Sequence, residues 1–209
     1  MEQRRMEHKG TVQIGTERLI LRSFCEKDAA AVYRNFGSDP KVTEFLRWKA
    51  YSSPDDAEDI LTEWIGNYKK ADFYQWAIVL KDLGEPVGTI SAVEMDERIN
   101  KIQIGYCIGS KWWHQGITSE ALGAVIPFFF REVGANRVEA LHDPNNPNSG
   151  KVMRKCGMKY EGTLRQADWS NKGIVDACVC SLLAEEWEKA IDTMEKNKPE
   201  SDQRRRGRG

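Results

Sequence analysis

The chain has 209 residues, 40% of them hydrophobic and 10% aromatic, enough for one domain with a sizeable core. A formal net charge of -1 argues against a global field for nucleic acid or membrane, and no apolar run reaches the length of a membrane span. Five cysteines set mostly in apolar stretches, three scattered histidines and the lack of any Cys-x-x-Cys pair point to reduced thiols and away from zinc. No secretory signal opens the sequence, so the expected compartment is the cytoplasm.

Residues 1–10 are polar and read as a flexible N-terminus. Alternation over Glu17 to Ser23, with Leu19 and Leu21 on one face and Ile20 on the other, predicts the first strand. Asp28 to Phe36 predicts a short helix stopped by Gly37, and Asp39-Pro40 caps a further turn through Val42, Phe45 and Leu46. Ser53-Pro54-Asp55-Asp56 marks a helix start: a Ser cap, Pro in the first position and acids in the first turn. That helix runs through Ile60, Leu61, Trp64, Ile65 and Tyr68. Tyr74 to Leu80 and Val87 to Val93 form a hairpin about the turn Asp82-Leu83-Gly84-Glu85, and Asn100 to Ile108 follows antiparallel.

A helix from Thr118 ends near Gly134, followed by a strand over Arg137 to Leu141. The loop Asp143 to Asn148 precedes a helix from Ser149 to Cys156, with Gly157 as its stop. Met158 to Gln166 and Ile174 to Leu183 are the last strands, joined through Ser170-Asn171-Lys172-Gly173. Residues 188–209 are expected to finish as a helical end and a disordered basic tail. Antiparallel hairpins mixed with helical crossovers make the fold class α+β around one mixed sheet.

The stretch 104–121 carries the chemistry. Ile104, Tyr106 and Ile108 alternate as a strand, a loop runs from Gly109 to Gly116, and Thr118-Ser119 opens an apolar helix. The first N–H groups of a helix have no partner inside it and its dipole favours negative charge there, so this corner is a candidate phosphate site. A nucleotide P-loop would need Gly-Lys-Ser/Thr, whereas Gly116-Ile117-Thr118 has no lysine. A dinucleotide fold would place its glycines in the first strand-helix unit of a parallel sheet, and here three antiparallel strands come first. A purely structural glycine turn remains an alternative at this point.

Trp113-His114-Gln115-Gly116-Ile117-Thr118-Ser119-Glu120-Ala121 resembles the pyrophosphate loop of the GNAT family of acetyl-CoA-dependent N-acetyltransferases, in the branch of RimJ/RimL ribosomal-protein N-acetyltransferases. Thr16-Glu17-Arg18-Leu19-Ile20-Leu21-Arg22, Gly88-Thr89-Ile90, Ile104-Gly105-Tyr106, Asn146-x-x-Ser149 and Lys155-Cys156-Gly157-Met158 match in the same order. The resemblance spans about residues 11–187, a single domain. His114 stands where the branch usually has Gly, and Thr118 where Gly or Ala is usual.

The resemblance implies a three-layer GNAT-like fold, with about seven strands in a mostly antiparallel sheet splayed in the middle and helices on both faces. It implies acetyl-CoA as co-substrate and no metal. The backbone of Ile104, Tyr106 and Ile108 would bond the pantetheine arm like an added strand. His114, Gln115, Gly116, Ile117, Thr118 and Ser119 would surround the pyrophosphate, and Asn146 and Ser149 would contact the arm.

For catalysis it implies Ser149 as the acid toward the departing thiolate, a helix cap being the other reading of that hydroxyl. Asp168, nineteen residues later in Leu164-Arg165-Gln166-Ala167-Asp168-Trp169, is the implied base, and a surface-turn acid the other reading. Glu94 is the reserve base, and Asp176 reads as a structural acid. Trp48 and Tyr51, in an irregular loop, are candidates for lining the cleft. The expected reaction is direct acetyl transfer to a primary amine, with a ribosomal-protein N-terminus as the leading acceptor. A small-molecule amine such as an antibiotic or polyamine, and a non-catalytic CoA-sensing module, are the alternatives. No membrane or specific nucleic acid is expected as partner, and a homodimer is left open.

Overall fold

The computed structural model describes residues 5–196. An eight-stranded sheet has the order β1-β2-β3-β4-β5-β6-β8-β7. Its strands are β1 (Ile14–Gly15), β2 (Leu19–Arg22), β3 (Gln75–Leu80), β4 (Glu85–Asp96), β5 (Lys101–Ile108), β6 (Arg137–His142), β7 (Lys159–Ser170) and β8 (Gly173–Leu183). All neighbours are antiparallel except β5 and β6. The count exceeds the expected seven because two residues, Ile14 and Gly15, pair with Leu21 and Ile20.

The helices are α1 (Ala29–Val32), α2 (Pro40–Thr43), α3 (Pro54–Asn67), α4 (Ile117–Phe128), α5 (Pro147–Lys155) and α6 (Ala184–Lys196). Strand alternation divides the core between two faces. Trp76 and Ile78 of β3, with Ile102 and Ile104 of β5, pack with α4, Met153 of α5 and Trp187 of α6. Ala77 and Val79 pack on the other face against Val32, Val42, Ala57 and Leu61 of α1, α2 and α3. The start of α3 is fixed by Asp56, whose Oδ2 accepts from the N–H groups of Ser52 at 2.6 Å and Ser53 at 3.2 Å. Such a cap contributes about 1 kcal/mol.

Residues 6–10 are not loose. Met6 is buried in the core, Glu7 N donates to Val133 O at 2.8 Å, and His8 bridges Tyr74 and Glu97. A polar stretch is held here by tertiary partners that lie far away in sequence. The expected disordered tail lies outside the described residues. No helix among the described residues is long and apolar enough to cross a membrane.

The edge strand β7 is tied across β8 to β6. Arg137 donates to both carboxylate oxygens of Glu161 at 2.7 Å, and Ser181 Oγ adds a bond at 2.6 Å. Those bonds, Arg137 first and Ser181 next, take the Glu161 carboxyl from its ordinary 4.5 down to about 2. Stability linked to a depressed carboxyl is present above its ordinary value and fades as pH falls through the folded one. Glu161→Gln is therefore expected to lower stability at pH 7 by on the order of 0.2–1 kcal/mol. The gap from wild type should close as urea melts are taken from pH 5 toward pH 2, and a gap that persists at pH 2 would contradict the linkage.

Candidate active site

β5 pairs with β6 only over Lys101–Gln103, against Arg137, Val138 and Glu139. β5 continues to Ile108 and β6 to His142, so the strands part after Gln103 and leave the β6-facing edge of Ile104–Ile108 without its strand partner. A cleft of about 750 Å³ opens at this fork. Ile104 and Ile108 are buried on the α4 face, so they face the cleft chiefly through their backbone.

One end of the cleft is the start of α4, which begins at Ile117, one residue before the predicted Thr118. Gly116 caps it at φ +75, in the left-handed region, and the first intrahelical bond runs from Glu120 N to Gly116 O at 3.0 Å. The N–H groups of Ile117, Thr118 and Ser119 precede that bond and form the donor end of the helix. A β-carbon at Gly116 would lie 3.6 Å from Arg18 Nη2 and 3.6 Å from Lys155 Nζ, so two cations flank the corner. Donors, dipole and cations together fit a diphosphate.

Thr118 is buried in the helix, while His114 and Gln115 are exposed on the loop and His114 and Thr118 both line the cleft. His114 has φ +61, which explains why a glycine is the usual residue at this position: the left-handed region is free to Gly and costs other residues energy.

Sequence reasoning missed what braces this corner. Arg18 donates Nη1 to Gln115 O at 3.0 Å and Nε to Glu120 Oε2 at 2.7 Å. Glu120 Oε1 also accepts from Thr16 Oγ1 at 2.6 Å and Arg18 N at 2.9 Å. Burial opposes ionisation of Glu120, but the Thr16 and Arg18 bonds outweigh it and hold its carboxyl below the ordinary range. Thr16-x-Arg18 and Ser119-Glu120-Ala121, two separate parts of the sequence match, are halves of one clamp. Their opposite charges were the only signal of it.

At the centre of the cleft, Tyr106 Oη lies 3.0 Å from both Ser149 O and Ser149 Oγ. Burial pushes the Tyr106 phenol well above its usual range, against the opposing Ser149 bond, so it stays protonated and is a donor. The helix cap is Asn146, whose Oδ1 accepts from Ser149 N at 3.3 Å; Pro147 opens α5 and Ser149 is its third residue. The predicted start at Ser149 is therefore two residues late, and its hydroxyl is released from capping to face Tyr106. Gly150 permits this approach, since a β-carbon there would sit 2.6 Å from His142 Nε2 on β6.

Asp168 lines the far end of the cleft, where β7 bulges between Leu164 and Asp168. Its Oδ1 accepts from Arg47 Nε at 3.1 Å and Nη2 at 2.5 Å, and from Trp169 N at 2.7 Å. The Arg47 guanidinium lies 5.8 Å from the centre of the Trp169 ring. Arg47 was not singled out by sequence, being 121 residues from its partner. Asn171, in the β7–β8 turn, donates to Thr43 O at 2.8 Å and Trp48 O at 2.7 Å, fastening the 43–48 segment beside Asp168.

Phe45, Trp48, Trp64 and Trp169 wall this end, over a polar floor of Gln75, Thr89, Ser91 and Gln103. Tyr51 is not part of the wall: it stacks on Trp48 and packs against Gly37. Glu94 is exposed and paired with Lys101 at 3.0 Å, away from the cleft lining. Asp176 is half-buried and accepts from Gln166 N at 2.9 Å, which supports the bulge.

Residues 18–159 match the family model described as an acetyltransferase (GNAT) domain. The chain is 29% identical over 172 residues to N-acetyltransferase p20 of Bacillus licheniformis, an uncharacterized protein, covering 82% of this chain and 96% of that one. It is 26% identical over 155 residues to the [ribosomal protein uS5]-alanine N-acetyltransferase of Escherichia coli, covering 72% and 80%. A GNAT-family acetyltransferase of Bacillus anthracis superposes with a TM-score of 0.73 at 26% identity, covering 84% of this chain and 100% of that one. With a forked sheet, a cation-flanked helix start at one end and a carboxylate at the other, the chain belongs to the GNAT acetyltransferase family and is an N-acetyltransferase that moves an acetyl group from acetyl-CoA to an amine.

Proposed function

We propose that the acceptor is the α-amine of a protein N-terminus, of the kind carried by ribosomal proteins. The observation that carries this reading is the likeness to the uS5-alanine N-acetyltransferase, which extends over 80% of that protein. The mouth of the cleft adds support: Arg47 and Trp169 stand half exposed there, at 52% and 54%, so a chain that enters amine-first can continue outward along them. The aromatic walls at Phe45, Trp48 and Trp64 favour a second reading, a compact amine of small-molecule size.

Acetyl-CoA supplies an acyl group already activated as a thioester. The chain holds and orients it, and manages two protons. The donor end of α4, with Arg18 and Lys155, holds the diphosphate, and the free edge of Ile104, Tyr106 and Ile108 with Asn146 holds the arm. Asp168 accepts the proton shed by the acceptor amine; its Oδ1 is engaged by Arg47, which leaves Oδ2 for that task. Ser149 Oγ donates at the sulfur. Tyr106 Oη has one proton for Ser149 O and Ser149 Oγ, and when that proton goes to Oγ the serine proton is free to point into the cleft.

Ser149→Ala is expected to lower kcat by about 10- to 100-fold, toward the low end of general-acid effects, with acetyl-CoA affinity nearly unchanged. An unaltered kcat would remove Ser149 from the proton path. The acceptor class is tested by acetyl-CoA turnover against peptides with free N-termini and a panel of small amines, read by thiol release. Turnover confined to small amines would replace the first reading by the second.

A further inference from the structure

Strand β5 keeps its two faces apart. Ile102, Ile104 and Ile108 are buried with α4, whereas Cys107 is buried with Ala77 and Val79 against α1, α2 and α3. Alternation along β5 places Gln103 and Gly105 on the Cys107 face. The register sets Gly105 against Ser91, Ser91 against Gln75, and Thr89 against both Cys107 and Ala77. The polar floor of Gln75, Thr89, Ser91 and Gln103 therefore lies on the α1–α3 side of the sheet, the side on which Trp48 and Trp64 pack.

Hydrogen bonds are used unevenly in this floor. Thr89 Oγ1 donates its one hydrogen to Trp76 O at 2.9 Å and accepts from Gln75 Nε2. Glu94 and Glu139, across the strands from Gln103, are taken by Lys101, and Glu139 also by Arg137. Gln103 is only 8% exposed, and its side-chain amide has no hydrogen-bond partner among the described residues. Neither amide atom is sealed: among the described residues, Asp143 Oδ2 is the one unpartnered side-chain atom that packing closes off. The Gln103 amide is thus open to the cleft it lines, at the last residue before β5 and β6 part. An amide so deeply placed forgoes most of its contact with water, and methionine would fill the space without that cost.

We infer that Gln103 selects the acceptor by pairing its amide with the first residue of the substrate. Oε1 accepts from the amine N–H, and Nε2 donates to the carbonyl oxygen of that same residue. In an extended chain the N–H and C=O of one residue point the same way, so one side-chain amide spans both. The inference rests on the N-terminal acceptor reading and narrows it. The arm of acetyl-CoA runs from the diphosphate corner back along the free edge of β5, so its acyl end comes to the fork where Gln103 stands. With one N–H of the neutral amine held by Oε1, the nitrogen lone pair is left for the thioester. The substrate class that follows is an α-amino acyl group, an amine one carbon from a carbonyl. A lysine ε-amine or an alkylamine offers nothing to Nε2.

The test is the ratio of kcat/KM for an alanine tripeptide to that for isopropylamine, with alaninamide as a third acceptor and thiol release as the readout. Gln103→Glu keeps an oxygen for the amine and removes the donor to the carbonyl, and Gln103→Met removes both. In either variant the ratio should fall by about 2- to 10-fold, the worth of one neutral hydrogen bond, with the KM for acetyl-CoA unchanged. A ratio unchanged in both variants overturns the inference even where both rates fall, since damage to the fold lowers both acceptors alike. If the tripeptide is a substrate and the ratio does not move, the N-terminal reading stands without Gln103. If alaninamide loses ground to isopropylamine in the variants but the tripeptide is not acetylated, the N-terminal reading fails and the assignment of Gln103 stands.

Discussion

Gly116→Glu is expected to remove acetyl-CoA binding, with a loss of at least about 100-fold. The donor end of α4 serves an anion through N–H groups that no intrahelical carbonyl uses. A glutamate at 116 starts its side chain 3.6 Å from both Arg18 Nη2 and Lys155 Nζ. Its carboxylate can pair with these cations and take the position of a phosphate. Two charge-assisted bonds at about 1.5–3 kcal/mol each account for the estimate. The left-handed backbone, φ +75, adds roughly 1–2 kcal/mol of strain to any residue but Gly. Gly116→Ala isolates that strain, because 3.6 Å is ordinary contact distance, and it should keep most of the affinity. Calorimetric titration with acetyl-CoA decides; normal affinity in the glutamate variant would misplace the diphosphate.

Asp168→Asn is expected to lower kcat by about 100- to 10,000-fold, the range for losing a general base, with acetyl-CoA affinity intact. The amide can still accept from Arg47 and Trp169 N through one oxygen, so the wall keeps its shape while the free oxygen becomes a donor. The deficit should be greatest near pH 7 and shrink toward pH 9, where an α-amine is already neutral in solution. A structural role would lower the rate equally at every pH. An unchanged rate across the profile would mean that solvent or another group takes the proton.

Local pattern alone carried the order and type of the elements. Leu19, Ile20 and Leu21 alternate, Ser53-Pro54 announces α3, and Gly116 with an apolar helix after it gives an anion corner. These features depend on neighbours within a few residues, which is the range that periodicity and capping report. The α5 boundary was misread because Asn146 and Ser149 are both good caps, and only the chain's path shows Asn146 accepting from Ser149 N.

The working parts of the cleft were decided by contacts that no local pattern specifies. Arg18 reaches Glu120 across 102 residues, and Arg47 reaches Asp168 across 121. Tyr106 and Ser149, both named from the sequence, become a proton-sharing pair only when the fork brings β5 beside α5. Asp143 Oδ2 is left without a hydrogen-bond partner where tertiary packing buries it. The sequence by itself determined the order of the elements and a helix start opening on Gly116, since both rest on backbone geometry that short-range pattern dictates. Only the tertiary structure decided which side chains meet and which polar atoms are left unpaired, since those follow from burial and from the parting of β5 and β6.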